Sequence, residues 1–436
     1  MIVKNLNKVK TDIERVLSSR KKVPIFSPKG LVRKILAKRK RILQVIKNHR
    51  SPFYLYDKEE LIKSVNEFKT LFNKHIPSSE IYYAMKANPH EYILKDVVRN
   101  NLGIDVSSGH ELELALQTRT NKVLFTGPAK TMDELRLVLK HSQKITLNID
   151  SFTELKKIEA LLKISKKKLR VGVRIATRNH GKWNKFGIPL KDLYSLWTLL
   201  KKNSYLQPEG IQTHMSWNED ADSYKNMIIE IGNYLKSYPA LKKEIQFIDL
   251  GGGFLPYKIE GLHSWSLPQG RIANILLEEL GKEVIFSKKH FLSLAIPLRE
   301  YAKEIGTAIK KNLSDMNCKF YFEPGRIICN NSMHIVLRVE DVKNSQLAIT
   351  DGGTNMVGWE RFEEEYFPIV NLTHPSLKEK VATVFGSLCT PHDIWGYFYH
   401  GTAIKEGDIL VIPYQGAYTY SYAQNFIKPF PKVYAL

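Results

Sequence analysis

Short apolar segments rich in β-branched and aromatic residues alternate with helical segments over about 270 residues of this 436-residue chain. ELELALQ at 111–117 and TMDELRLVLKH at 131–141 have the residue spacing of amphipathic helices. The strand-like segments lie at 81–87, 121–127, 144–150, 169–175, 208–215, 245–253 and 319–326. Strands that alternate with helices are typical of a parallel-sheet α/β domain, and at this size the pattern predicts a (β/α)8 barrel.

Polar and chemically active residues recur where these predicted strands end. They are Lys86, Asp105, Arg174, His214, Gly251 and Glu323. In a (β/α)8 barrel the carboxyl ends of the strands form the catalytic face. The sequence therefore predicts that these residues meet in one site.

The pattern changes after Arg326, where strands and turns follow one another with little helix. This is typical of an antiparallel β domain. We expect a barrel over residues 51–330 and a mostly antiparallel β domain over 331–436.

Positive charge is concentrated in the first 50 residues. They hold 16 Lys and Arg against Asp12 and Glu14, whereas the other 386 residues hold 50 basic against 42 acidic residues. A nucleic-acid-binding protein usually spreads its basic surface over the fold, so we expect no nucleic-acid partner. Residues 1–50 are predicted to be a basic, partly helical extension. We expect its helix to dock on the protein's own body, and an acidic partner or an anionic membrane surface remains an alternative.

The sequence also indicates in which cellular compartment the protein is expected. No apolar run approaches about 18 residues, so no membrane span is expected. The first residues have no apolar core of a secretory signal. Cys318, Cys329 and Cys389 are too few for a disulfide framework, which favours a cytoplasmic location.

YYAMKANP at 82–89 places Lys86 at a strand end among small and apolar neighbours. Partial burial there is expected to lower the lysine pKa and to favour the neutral amine that a Schiff base requires. Taken alone, the motif favours an ordinary surface lysine.

Three further motifs carry chemistry. FIDLGGGF at 247–254 offers backbone N–H groups to a phosphate, although a tight barrel turn also explains it. FEPGR at 322–326 places Glu323 before a glycine turn and Arg326. This order suits a carboxylate that faces a pyridinium nitrogen, although an ordinary strand and turn also explains it. FGSLCTPHD at 385–393 places a thiol and a carboxylate four residues apart, although a lone cysteine is often a small buried hydrophobe. No metal site is predicted.

Together these motifs resemble the fold-type III pyridoxal-phosphate amino-acid decarboxylases, the group of the diaminopimelate, ornithine and carboxynorspermidine decarboxylases. The order YAMKAN, GIDVSSGHEL, GVRI, NKFGI, GIQTHM, DLGGGF, EPGR, DGGTN, SLCTPHD and QGAYT follows that of the family. The resemblance runs from about Pro52 to the C-terminus and leaves the basic extension uncovered.

The resemblance implies pyridoxal 5'-phosphate as the cofactor and a role for each matching residue. Lys86 is implied to hold the cofactor covalently, His214 to stack on its pyridine face, and Glu323 to keep the pyridine nitrogen protonated. The other implied cofactor contacts are Asp105, Arg174, Gly251, Gly252, Gly253, Gly325, Arg326 and Tyr418. Cys389 is implied to act across the interface of a homodimer with shared active sites, controlling protonation after CO2 loss.

The departures from the family lie in the substrate pocket. The predicted substrate contacts are Arg326, Trp359, Glu363, Cys389, Thr390 and Asp393. Thr390 stands where the family usually has an acidic residue. Trp359 and Glu363 stand where the diaminopimelate branch has an arginine and a tyrosine. Ser216 and Trp217 stand where the family usually has a Gly-Ser pair, and this difference is expected to alter one phosphate contact.

We therefore expect decarboxylation of neither meso-diaminopimelate nor ornithine, but of a bulkier amino acid that is acylated, citryl-linked or tethered to a carrier protein. Arg361 and Glu363 forming a new polar pocket is a further possibility. The alternatives left open are diaminopimelate decarboxylase proper, a pyridoxal-phosphate-dependent racemase, and an inactive regulatory homologue.

Overall fold

The computed structural model of the chain describes residues 25–180, 185–257, 261–265, 267–279, 281, 290–292, 295–344, 346–358 and 365–436. Its strands are β1 (Ile25–Phe26), β2 (Phe53–Tyr56), β3 (Ser79–Ala84), β4 (Gly103–Val106), β5 (Val123–Phe125), β6 (Ile145–Ile149), β7 (Leu169–Ala176), β8 (Ile188–Pro189), β9 (Leu206–Gln212), β10 (Phe247–Asp249), β11 (Gly261–His263), β12 (His290–Leu292), β13 (Lys319–Phe322), β14 (Met333–Asn344), β15 (Leu347–Thr350), β16 (Glu365–Tyr366), β17 (Val370–Asn371), β18 (Glu379–Phe385), β19 (Ile394–His400), β20 (Ile409–Ile412) and β21 (Lys432–Ala435).

The helices mostly follow strands of the barrel. They are α1 (Lys29–Ala37), α2 (Arg39–Asn48), α3 (Lys58–His75), α4 (Glu91–Arg99), α5 (Gly109–Gln117), α6 (Met132–Lys140), α7 (Phe152–Ser165), α8 (Leu193–Lys202), α9 (Asp222–Lys236), α10 (Pro239–Glu244), α11 (Pro268–Glu279), α12 (Leu298–Asn312) and α13 (Arg326–Cys329). Among the helices of these described ranges, none is long and apolar enough to cross a bilayer.

Eight parallel strands close into a barrel in the order β6-β5-β4-β3-β13-β10-β9-β7, and β7 pairs back with β6. Side chains such as Ile104, Val171 and Ile248 are fully buried and fill the core. Capping side chains start several of the surrounding helices; for example, Thr131 and Glu134 form a reciprocal capping box at α6. The predicted (β/α)8 barrel is confirmed.

A second sheet has the order β15-β18-β19-β17-β20-β14-β2-β21 and is mostly antiparallel, as expected for the second domain. Strand β2 pairs antiparallel with β14 and parallel with β21. The predicted start of the barrel at residue 51 is therefore wrong for this strand. The reason is its two-sided burial: Tyr54 and Tyr56 join the core shared with the barrel, while Phe53 and Leu55 face the opposite side.

Helices α1 and α2 cover that opposite side of the second sheet. Val32, Ile35 and Ile42 are buried against a cluster that includes Phe53 and Leu55. The extension is thus helical over 29–48 and docks on the protein's own body in this range, while residues 1–24 lie outside the described structure.

A small third sheet, β1-β12-β11-β16, was not predicted from the sequence. It joins segments that are far apart in the chain, and its core places Phe26 and Leu292 against Tyr366 and Phe398. Such pairing of two- and three-residue strands leaves little local signal in a sequence.

The chain after β20 crosses from the second domain to the barrel. The backbone N–H of Tyr418 donates to the carbonyl of Ala87 at 2.8 Å, and the side-chain amide of Asn88 donates to the carbonyl of Gly416 at 2.8 Å. These bonds hold the second domain against the turn that carries Lys86.

Candidate active site

Lys86 lies in a single 3-10 turn, Met85–Ala87, directly after β3. Burial by itself lowers the pKa of the amine, but Asp105, the Tyr418 hydroxyl and Glu323 together outweigh it, so the pKa lies above its ordinary value. The predicted lowering of the Lys86 pKa is therefore wrong for this site. The turn fixes the position of the lysine, and the surrounding carboxyl groups keep its amine protonated.

Three buried carboxyl groups lie close together: Asp105 in β4, Asp249 at the end of β10 and Glu323 directly after β13. Burial, then the charge of Glu323, raises the pKa of Asp105 well above its ordinary value. Burial, then the charge of Asp249, does the same for Glu323. Burial raises the pKa of Asp249 to about 7. Each of these carboxyl groups therefore resists ionisation in the buried cluster, and a cation bound beside them would favour their charged forms.

His214 follows β9 and faces Glu323, with 3.9 Å between its Nδ1 and Glu323 Oε2. The N–H of Gly252 donates to Nδ1 at 2.9 Å, and Nε2 lies 3.1 Å from the Ser216 hydroxyl. Burial, with the charges of Lys86 and Arg174, lowers the His214 pKa well below its ordinary value. The imidazole is neutral and offers an uncharged flat face.

The glycine turn after β10 is packed tightly. A Cβ on Gly252 would lie 2.1 Å from the Glu323 carbonyl oxygen, and one on Gly253 would lie 2.2 Å from the carbonyl oxygen of Met215. The N–H of Gly251 donates to Asp249, and that of Gly252 donates to His214. These two N–H groups donate to side chains within the site, and the phosphate contacts of Gly251 and Gly252 stay predictions.

Gly253 and Gly325 remain predicted phosphate contacts. Gly253 has φ +92°, which a residue with a Cβ rarely adopts. A Cβ on Gly325 would lie 2.9 Å from that of Ala87, so this glycine lets the turn after Glu323 approach the lysine turn.

Arg174 is buried and donates to the Thr126 carbonyl at 3.0 Å, with Asp150 at 3.8 Å. Its guanidinium carbon lies 4.4 Å from the ring centroid of Phe186. Thr126 also donates to Asp105. Arg174 and Asp105 are thus joined through one threonine, beside the lysine.

Arg326 lies close to two aromatic rings. Its guanidinium carbon is 5.0 Å from the Tyr418 centroid and 5.2 Å from the Trp217 centroid. Trp217 is 62% exposed and has φ +59°. The two cation–π contacts stabilise the position of the guanidinium.

Cys389 is exposed on the loop between β18 and β19, and Thr390 beside it is partly exposed. Asp393 was predicted to contact substrate, but it is buried and accepts hydrogen bonds from the Thr354 N–H at 2.7 Å and the Leu388 N–H at 2.6 Å. That prediction is wrong within this chain, because the carboxylate holds the cysteine loop together.

The remaining predicted substrate contacts, Trp359 and Glu363, lie outside the described residues, as does Arg361.

The sequence reasoning missed Asp249 and Gln212 as site residues. The side-chain amide of Gln212 donates to Glu323 Oε1 at 3.3 Å, and the charge of Asp249 contributes to the raised pKa of Glu323. Both residues end apolar strands of the barrel, the position that marked the other site residues.

The comparisons with known proteins agree with this geometry. Residues 59–330 match the family model of the pyridoxal-dependent decarboxylases, pyridoxal binding domain. The diaminopimelate decarboxylase of Helicobacter pylori is 26% identical over 402 residues, covering 88% of this chain and 89% of that protein.

Solved structures are similar over nearly the whole chain. A crystal structure of a mutant diaminopimelate decarboxylase from Helicobacter pylori, complexed with L-lysine, has a TM-score of 0.72 at 25% identity and covers 91% of this chain and 94% of that one. The lysine decarboxylase from Selenomonas ruminantium has a TM-score of 0.70 at 20% identity, covers 91% and 95%, and shares the fold.

The chain belongs to the pyridoxal-dependent decarboxylase family, since the family model spans more than half of it. It is a pyridoxal-phosphate-dependent carboxy-lyase of amino acids or their derivatives.

The residues present fit this cofactor. Asp105 Oδ2 and Gln212 Oε1 are buried and have no hydrogen-bond partner among the described residues, which leaves polar atoms for a bound group to satisfy. Burial beside Asp249 raises the pKa of Glu323, so a protonated ring nitrogen would give its carboxylate form the cationic partner that favours ionisation.

Proposed function

We propose that this enzyme removes the α-carboxylate of an amino acid whose distal group is acylated, citryl-linked or carried by a protein. One observation carries the chemistry: the Lys86 amine is set among Asp105, Glu323 and Tyr418, with a neutral His214 facing Glu323. The cysteines of the described chain are free, which supports a cytoplasmic enzyme.

When bound, pyridoxal phosphate supplies the electron sink for the electron pair left at Cα when CO2 departs. Lys86 would hold the cofactor through its amine. Glu323 would hold the ring nitrogen, and the Gln212 amide, which donates to Glu323 Oε1, would position it. His214 offers its uncharged face, so it adds no cation that would compete with the protonated ring.

We also propose a homodimer in which Cys389 of one chain completes the site of the other. Large apolar side chains are exposed after the Tyr418 segment; they are Tyr422, Phe426, Ile427 and Phe430. An exposed apolar patch of this kind is typical of a protein interface. Cys389 is itself exposed, so a partner can reach it.

The substrate proposal rests on Thr390. Its side chain is uncharged and partly exposed beside Cys389, so it offers no carboxylate to a distal ammonium group. A neutral or bulky distal group suits that surface better than the free amine of ornithine.

A CO2-release screen tests the proposal. Purified enzyme is mixed with meso-diaminopimelate, ornithine, N-acylated and citryl-linked diamino acids, and carrier-bound amino acids, with Lys86→Ala as the blank. We expect release from the derivatised substrates. Fast release from meso-diaminopimelate would overturn the specificity proposal, and inversion of an L-amino acid without CO2 would indicate a racemase.

A further inference from the structure

Helices α1 and α2, with His49 and Arg50 after them, form a segment that we name the basic strap (29–50). It contains nine Lys and Arg residues and no Asp or Glu. A helical segment on a protein surface normally mixes both signs of charge, because i,i+4 pairs stabilise it. The strap has no such internal pair.

Three of its basic residues are anchors. Lys38 bonds Asp57 and lies 3.4 Å from Glu60, and Arg39 donates to the carbonyl of Leu372. Arg41 pairs with Glu59 at 2.9 Å. These contacts fix the strap on the second sheet, together with the buried Val32, Ile35 and Ile42.

The other six basic side chains are exposed and make no ion pair with any described residue. They are Lys29, Arg33, Lys34, Lys40, Lys47 and Arg50. The docked helices therefore present an outer face of one sign only. A face of this kind concentrates positive potential and attracts an anionic partner.

The packing decides which partner. An amphipathic helix binds a membrane surface by burying its apolar face among lipids. Here that face is covered by the second sheet, and the outer face exposes basic and uncharged polar side chains with no large apolar one. We propose that the outer face of the basic strap is the docking surface for an acidic protein.

This inference goes beyond the proposed function and does not depend on it. A carrier protein that brings a tethered amino acid is one partner of the stated chemistry. A regulatory or scaffolding protein with an acidic surface is another, and the docking is the same for both.

The test measures the binding of a fluorescent 20-residue polyglutamate peptide to the full-length holoenzyme at two salt concentrations. The strap variant is Arg33→Glu/Lys34→Glu/Lys40→Glu. The matched control, Lys163→Glu/Lys167→Glu/Lys168→Glu, makes the same charge change at three exposed lysines of the barrel. We expect binding about tenfold weaker in the strap variant, a much smaller loss in the control, and weaker binding at higher salt.

Equal melting temperatures of both variants and the wild type show that folding is intact, and decarboxylation of a small substrate should be unchanged. Equal loss of binding in both variants would show that only net charge acts, and would overturn the proposal. Binding to phosphatidylglycerol vesicles without binding to polyglutamate would overturn it in favour of a membrane surface.

Discussion

The backbone N–H of Gly252 donates to Nδ1 of His214 at 2.9 Å. In this bond Nδ1 is the acceptor, so the bond stabilises the neutral imidazole. The ring lies beside the carboxyl group of Glu323, which follows β13. The bond also requires a glycine at position 252, since a Cβ there would lie 2.1 Å from the Glu323 carbonyl oxygen.

We expect Gly252→Ala to reduce kcat/KM at least about 10²-fold, because an added methyl group must displace the backbone carbonyl of Glu323 and with it the Glu323 side chain. Steady-state kinetics and pyridoxal phosphate titration measure this. Gly30→Ala is the control, since nothing lies within 4 Å of a Cβ there. Wild-type activity in Gly252→Ala would contradict the assignment of this turn to the site.

Lys86→Ala should lose covalent cofactor attachment and lower the decarboxylation rate by at least about 10³-fold. Borohydride reduction followed by peptide mapping should find the cofactor on Lys86 in the wild type and on no peptide of the variant. Lys95→Ala, which removes an exposed lysine, should behave like the wild type. Attachment at another lysine would refute the role of Lys86.

Asp249→Asn should change how stability depends on pH. Burial raises the pKa of Asp249 from 3.8 to about 7, so its protonated form stabilises the fold at low pH and this contribution is lost as the pH rises towards 7. Asparagine does not ionise. Relative to the wild type, the apoenzyme variant should therefore gain at least about 1.4 kcal/mol between pH 4 and pH 7 in urea unfolding. Glu113→Gln, at an exposed site, should show no such trend.

Asp393→Asn should destabilise the protein by about 1–3 kcal/mol, because an amide N–H would face the Leu388 N–H that the carboxylate now accepts. The Cys389 loop should loosen, which faster thiol labelling would report. Glu406→Gln, an exposed change in the same domain, is the control. Unchanged stability together with a raised KM would instead favour a direct substrate contact.

Ile42→Ala should lower the free energy of unfolding by about 2–5 kcal/mol, since this side chain is fully buried under the second sheet. Lys47→Ala, on the exposed side of the same helix, should stay within about 0.5 kcal/mol of the wild type. Equal stability of the two variants would show that the extension is not docked in solution.

The barrel could be predicted because each of its strands has a local sequence pattern, an apolar run followed by a polar residue such as Lys86, Asp105 or Glu323. The charge state of Lys86 could not be predicted from the sequence. Its pKa is set by carboxyl groups from other strands, and only the closed barrel brings them together. The prediction that Asp393 contacts substrate failed for the same reason. The sequence near Cys389 does not show whether the carboxylate faces a substrate or bonds to its own loop.

The expected barrel over residues 51–330 includes strand β2. Its pairing partners, β14 and β21, are separated from it by the whole barrel. A strand-like sequence pattern indicates that a segment pairs with another strand, but it does not identify the partner strand.

That placement of β2 has a consequence for synthesis on the ribosome. Phe53–Tyr56 emerges before the first barrel strand, yet its neighbour Lys432–Ala435 is made after every strand of the barrel. The second sheet is therefore completed only once Lys432–Ala435 has been made, while the barrel strands are all available earlier. A nascent chain, or a product truncated before Lys432, carries β2 with an open edge, because the strand that covers this edge begins almost 400 residues after β2.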